Sequence, residues 1–225
     1  MSEPSPLLDR AGIEDALRRL GERLAKRGVV ADLYVFGGAA MALAYDSRRA
    51  TRDVDALFKP HGIVHEEALA VAAELGLPRW WLNEQASSYV APRGDPEASR
   101  VFDHPGLRVF AASPEHLLAM KAFAARPRDT EDIRQLAKVL GLRNTEDVLG
   151  LVREVFPGEE PPERLRLLLD DIFSDGESAA PRPDRSQAEG LSRSASPWAS
   201  PGCTTDVSAD FDQLTGVRAE VRTLA

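Results

Sequence analysis

Asp53 and Asp55 stand two residues apart at the start of the run Asp-Val-Asp-Ala-Leu-Phe. Side chains alternate along a strand, so both carboxylates reach one face and Val54 points to the other. Two carboxylates at that spacing can share hard cations. Magnesium takes oxygen ligands and keeps substrate phosphates in its shell. A two-metal site of this kind activates an attacking hydroxyl and stabilises a leaving pyrophosphate.

Upstream, Gly37 and Gly38 follow the short apolar run Leu33 to Phe36 and precede the breaker-free stretch Ala39 to Tyr45. The apolar run reads as a buried strand and the following stretch as a helix. The glycines therefore fall at a strand-to-helix junction, where backbone N–H groups and the helix dipole favour an anion. Alone, a Gly-Gly is a turn and an Asp-x-Asp is a solvated strand end. In the order strand, Gly-Gly, helix, basic loop, Asp-x-Asp strand, they describe a site for a nucleoside triphosphate and its magnesium.

These residues carry a resemblance. Gly37-Gly38-Ala39-Ala40, then Arg49-x-Thr51-x-Asp53-Val-Asp55, then Lys121-x4-Arg126-x2-Asp129-x2-Asp132 resemble the nucleotidyltransferase-fold toxins of the abortive-infection AbiEii type, a type IV toxin–antitoxin class. They are still more similar to an uncharacterised bacterial branch of that superfamily, in which Trp81-Leu-Asn83 also looks like a recurrent element. The likeness covers roughly residues 10 to 142. It implies that Gly37 and Gly38 bind phosphates and that Asp53 and Asp55 bind metal. It implies nucleotide or phosphate contacts for Arg49, Thr51 and Lys121, and keeps Asn83 as a further nucleotide-binding candidate. Asp129 or Asp132 would complete the catalytic acids. Many superfamily members carry a third carboxylate on a later strand, whereas Leu107 to Ala112 holds no acid. Either the late helix supplies it or the site is incomplete. The resemblance further implies the 3′ end of tRNA as acceptor and a cognate antitoxin protein as partner.

Composition bounds the alternatives. The formal net charge is −8, whereas a protein that binds nucleic acid over its whole surface is basic. An RNA substrate must then meet a local patch. Arg48, Arg49 and Arg52 flank the acidic pair, and Arg126 and Arg128 lie near the late motif. Arg48 and Arg128 read as solvated charges. Cys203 is the only cysteine, so no intramolecular disulfide can form. The polar start Met-Ser-Glu-Pro-Ser-Pro and the lack of a membrane-length apolar run predict a cytoplasmic protein with no membrane partner.

The elements that must position these groups follow from periodicity. Ile13, Leu17, Leu20 and Leu24 mark an amphipathic helix stopped by Gly28, with Arg18, Arg19 and Arg23 on its solvated face. His61 to Leu75, closed by Gly76, reads as a crossover helix. In Arg79-Trp-Trp-Leu-Asn83 the tryptophans either stack on a base or anchor the core, and Asn83 can cap a helix beginning at Glu84. Arg100 to Asp103 and Leu107 to Phe110 form a hairpin across His104-Pro-Gly106, with His104 as a turn residue. Ser113-Pro-Glu starts a helix that carries Lys121 in an apolar context. That lysine either snorkels or directs its cation at phosphate. Asp129 and Asp132 open the next helix, where they serve either as cap and dipole partner or as catalytic acids. Helices from Asn144 and from about Pro161 to Phe173 follow.

The fold expected is α/β (α+β): a nucleotidyltransferase domain over residues 1–142 with a small mixed sheet flanked by helices, a C-terminal helical extension over 143–173, and a disordered tail over 174–225. The expected reaction is magnesium-dependent transfer of a nucleoside monophosphate from a nucleoside triphosphate to a hydroxyl, with tRNA as the acceptor that the resemblance implies. A small-molecule nucleotidyltransferase of the aminoglycoside-modifying kind is the rival enzyme. A non-catalytic nucleotide- or partner-binding module is the third reading.

Overall fold

The computed structural model describes residues 7–45, 50–91 and 94–177. Its centre is a five-stranded mixed sheet of order β3-β2-β1-β5-β4. Strand β1 (Ala31–Val35) is buried throughout. It runs antiparallel to β2 (Val54–Lys59), with Val35 opposite Ala56, and parallel to β5 (Leu107–Ala111), with Val35 opposite Ala111. The two-residue β3 (Leu82–Asn83) lies parallel to the start of β2, as the crossover helix α3 (His61–Leu75) requires. Strand β4 (Ser99–His104) pairs antiparallel with β5 across the predicted turn, where the Gly106 N–H donates to His104 Nδ1.

Helix α1 (Arg10–Lys26) starts at the Asp9 cap and buries Ile13, Leu17, Leu20 and Leu24 completely. Its arginines are not a uniformly solvated face. Arg23 and Arg27 both bond Glu67 on α3, and Arg23 also bonds Glu74. Burial raises the pKa of Glu67, but the bonds from Arg27 and Arg23 outweigh it and the net shift is downward. An ion-paired carboxylate thus locks two helices that hydrophobic periodicity alone would leave free to slide.

After the sheet, α4 (Pro114–Ala124) begins as expected, with the Ser113 side chain accepting from the His116 N–H. Asp95 fixes where that helix starts. It is fully buried, accepts from Tyr34 Oη at 2.9 Å and from the Ser113 N–H at 2.8 Å, and lies 3.2 Å from His116 Nδ1. Burial first, then Asp95, push the Tyr34 pKa well up, which keeps this phenol a neutral donor. Helices α5 (Thr130–Val139), α6 (Thr145–Val155) and α7 (Glu163–Glu177) follow. Helices α5 and α6 pack on α4, and α7 packs on both. Their buried residues join the same core as the sheet, and Phe123 stacks on Phe156 at 4.6 Å.

Two boundaries differ from the sequence reading. The segment after Asn83 is a short 3-10 turn, Gln85–Tyr89, not an α-helix. The last helix continues past Phe173 to Glu177. Residues 178–225, the remainder of the expected tail, lie outside the described residues. Among the described residues no helix is long and apolar enough to cross a membrane.

Candidate active site

The acidic pair and the glycine turn meet because β1 and β2 are neighbours. Val54 is fully buried and opens β2, so Asp53 sits one residue before the strand and Asp55 one residue inside it. The Phe36 N–H donates to the Asp55 carbonyl at 3.1 Å, tying the glycine turn to the acid strand. Helix α2 (Gly37–Ala40) starts there with no side-chain cap and continues as the π-helical turn Met41–Tyr45. Gly37 has φ +64°, and a Cβ at Gly37 would stand 3.3 Å from Asp55 Oδ2. A Cβ at Gly38 would stand 2.7 Å from Thr51 Oγ1. Only glycine brings this turn so close to both residues without displacing them.

Thr51 is held on its backbone by a two-way bridge to Leu8, and its hydroxyl donates to the Asp53 carbonyl at 3.0 Å. That hydroxyl therefore shapes the turn leading into Asp53. Asn83 reaches the site from the sheet edge. Its amide nitrogen donates to Asp53 Oδ2 at 3.2 Å and to the Trp80 carbonyl at 3.1 Å, while its oxygen accepts from the Gln85 N–H. Burial first, then the charge of Asp53, push the Asp55 pKa up to about 6. Arg126, the Ala86 N–H and Arg128 pull against that shift without cancelling it.

The opposite wall comes from α4 and the start of α5. Lys121 is only 6% exposed, and its Nζ bonds Asp129 Oδ1 at 2.9 Å and Asp132 Oδ2 at 2.8 Å. Asp129 holds the cap position of α5, yet its side chain makes no capping bond, because it turns to the lysine instead. Lys121 thus neither snorkels into solvent nor stands alone. An ammonium has three N–H donors, and two of them are in these bonds.

Between the walls lies a cleft of about 350 Å³. Of the residues singled out from sequence, it is lined by Gly37, Gly38, Thr51, Asp53, Asp55, Lys121, Asp129 and Asp132. Asn83 stands behind it, one hydrogen bond from Asp53. Arg49, like Arg48, lies outside the described residues. Arg52, Arg126 and Arg128 also line the cleft, and Arg128 is exposed, as expected of a solvated charge, while standing at the cleft's edge. Sequence reasoning missed Tyr89, whose ring packs under Arg126 at 4.7 Å from guanidinium to centroid and which lines the same cleft. No periodic or motif signal marks a tyrosine in a 3-10 turn.

Among the described residues no three His, Cys, Asp or Glu side chains gather as a ready-made metal cage. Magnesium does not need one, since it completes its shell with water and substrate phosphates. Two aspartates, one held up to about pKa 6 by burial and its neighbour, beside an uncapped glycine turn, fit such an ion.

A family model, described as a nucleotidyltransferase of unknown function (DUF6036), matches residues 15–156, more than half of the chain. The chain belongs to this nucleotidyltransferase family. The match spans every cleft residue named above. The five-stranded mixed sheet flanked by helices is the nucleotidyltransferase architecture expected from sequence. No curated protein and no solved structure matches the chain.

Proposed function

We propose that this member of the family is a metal-dependent enzyme that transfers a nucleoside monophosphate from a nucleoside triphosphate to a hydroxyl acceptor. The observation that supports it is the convergence, in one cleft, of the Gly37-Gly38 turn, the Asp53/Asp55 pair and the Lys121–Asp129–Asp132 cluster. Asp53 and Asp55 would hold magnesium, which supplies electrophilic assistance at the phosphate and offsets charge on the leaving pyrophosphate. The uncapped first turn of α2 and the third donor of Lys121 bind phosphate oxygens. Asp129 and Asp132 act through Lys121 by fixing its ammonium on the cleft wall. The acceptor oxygen bonds to the α-phosphorus, the bond from that phosphorus to the bridging oxygen breaks, and pyrophosphate leaves. The hydroxyl proton passes to a carboxylate of the cleft.

For the acceptor we propose the 3′ end of tRNA, and for the role a cytoplasmic toxin silenced by an antitoxin protein. The support is the likeness to AbiEii-type toxins together with the Arg52, Arg126 and Arg128 side chains at the cleft of a chain whose net charge is −8. One observation favours a non-catalytic nucleotide-binding module instead: both late acids are engaged by Lys121. Purified protein incubated with α-labelled nucleoside triphosphates, magnesium and total bacterial RNA separates these readings. Label at tRNA size, absent with Asp53→Asn, supports the transferase. Unchanged transfer by Asp53→Asn would sink the mechanism.

A further inference from the structure

A second groove, of about 400 Å³, opens on the other side of Asn83. The pair Trp80-Trp81 divides here. Trp81 is fully buried, its indole N–H donating to the Ala68 carbonyl at 2.9 Å, whereas Trp80 is 42% exposed and lines the groove. Three near-parallel rings line the same groove, of which Phe58 is buried and the two histidines lie above it. Phe58 stacks on His61 at 5.0 Å and 18°, and His61 lies over His65 at 6.3 Å and 4°. The histidine spacing of four residues on α3 places both rings on one helix face. Arg79, exposed, adds a fixed positive charge at the rim, and Glu84 holds His61 Nε2 at 2.7 Å.

We propose that this groove is an acceptor subsite that stacks an unpaired nucleobase of single-stranded RNA. Flat aromatic faces beside a fixed cation are what a base and its phosphate require, because every base has a π-face and the backbone is anionic. Tryptophan offers a large flat face on which any base can stack. The groove is joined to the cleft by one side chain: the Asn83 amide donates one hydrogen to the Trp80 carbonyl and another toward Asp53. A base on Trp80 therefore rests against the residue that orients a proposed metal ligand. A bound acceptor is thereby brought up beside the triphosphate cleft. The inference rests on the reading of that cleft as a nucleotidyl-transfer site.

The test is fluorescence anisotropy of a dye-labelled single-stranded hexaribonucleotide of mixed sequence, titrated with the full chain. Binding to the wild type should raise the anisotropy, and the same signal reads the affinity of each Trp80 variant. Trp80→Leu should bind roughly tenfold or more weakly, and Trp80→Phe, which keeps a ring, should bind close to wild type. Circular dichroism of each variant establishes that the fold is retained. In the transfer assay, Trp80→Leu should raise KM for the RNA with little change in kcat. Equal affinity in Trp80→Leu and wild type, or equal binding of the same sequence as a duplex, overturns the inference. Magnesium-dependent nucleotide binding by the wild type tests the cleft separately. If nucleotide binds and RNA does not, the groove inference fails alone; if neither binds, the reading of the cleft fails with it.

Discussion

Lys121 Nζ lies 2.8 Å from Asp132 Oδ2, with both side chains almost wholly removed from solvent. A buried ammonium that loses a partner keeps its desolvation penalty and forfeits the attraction that offset it. Asp132→Ala should therefore destabilise the fold by about 3 kcal/mol, at the lower end of such losses because Asp129 still bonds the lysine. Replacing the cluster together, Lys121→Met with Asp129→Asn and Asp132→Leu, should recover most of that loss while abolishing nucleotide binding, because no buried charge is then left without its partner. Urea denaturation and nucleotide titration on the same variants check both halves.

The raised Asp55 pKa has a definite consequence for stability. Its folded value of about 6 exceeds the ordinary carboxylate value of 3.8, so between these pH values the folded chain holds more protons than the unfolded one. The residue's contribution is most favourable below the lower value, falls as pH rises, and levels off above the upper. Asp55→Asn should stabilise the metal-free protein at pH 8 by on the order of 1–2 kcal/mol, after discounting for its partial exposure. The advantage should fall to roughly a third of that near pH 4.5 and vanish only below 3.8. Thermal denaturation at the two pH values measures it. Added magnesium should stabilise the wild type at pH 8 and leave Asp55→Asn nearly unchanged.

Asn83 orients Asp53 without lining the cleft. Removing such an outer partner typically weakens metal affinity about 10–100-fold. Asn83→Ala should raise the magnesium concentration for half-maximal transfer by at least about tenfold, with a smaller fall in kcat at saturating magnesium. A magnesium requirement identical to wild type would remove the coupling.

A side chain in the glycine turn is strained. Gly37→Ala forces φ +64° on an L-residue and sets a methyl 3.3 Å from Asp55 Oδ2. The backbone term alone costs roughly 1–2 kcal/mol. The variant should fold with a lowered Tm and bind nucleoside triphosphate more weakly, as isothermal calorimetry would report.

Local signals in the chain reached about half of the candidate site. Asp53, Asp55, Gly37 and Gly38 were legible because strand alternation and a strand-to-helix junction are local features. The caps at Ser113 and Asn144 were legible for the same reason. Asp129 was ambiguous, because a cap and a partner of Lys121 look alike until α4 and α5 are placed side by side. Trp80 and Trp81 were indistinguishable, since only the end of a two-residue strand decides which ring faces the core. Arg23 reads as solvated on α1 alone and becomes a clamp only when α3 brings Glu67. In each case the missing information lies in contacts between residues distant in sequence.

The bond from the Phe36 N–H to the Asp55 carbonyl, with the ladder between β1 and β2, also divides the molecule mechanically. The phosphate turn and the acidic pair belong to one backbone-bonded unit and cannot separate without tearing the sheet. Lys121, Asp129 and Asp132 ride on helices joined to that unit by side-chain packing and by the Asp95 anchor at the start of α4. Packed helices slide by small shears more readily than paired strands part. Any closure of the cleft around a substrate is therefore a movement of the lysine-bearing wall toward a stationary acidic one.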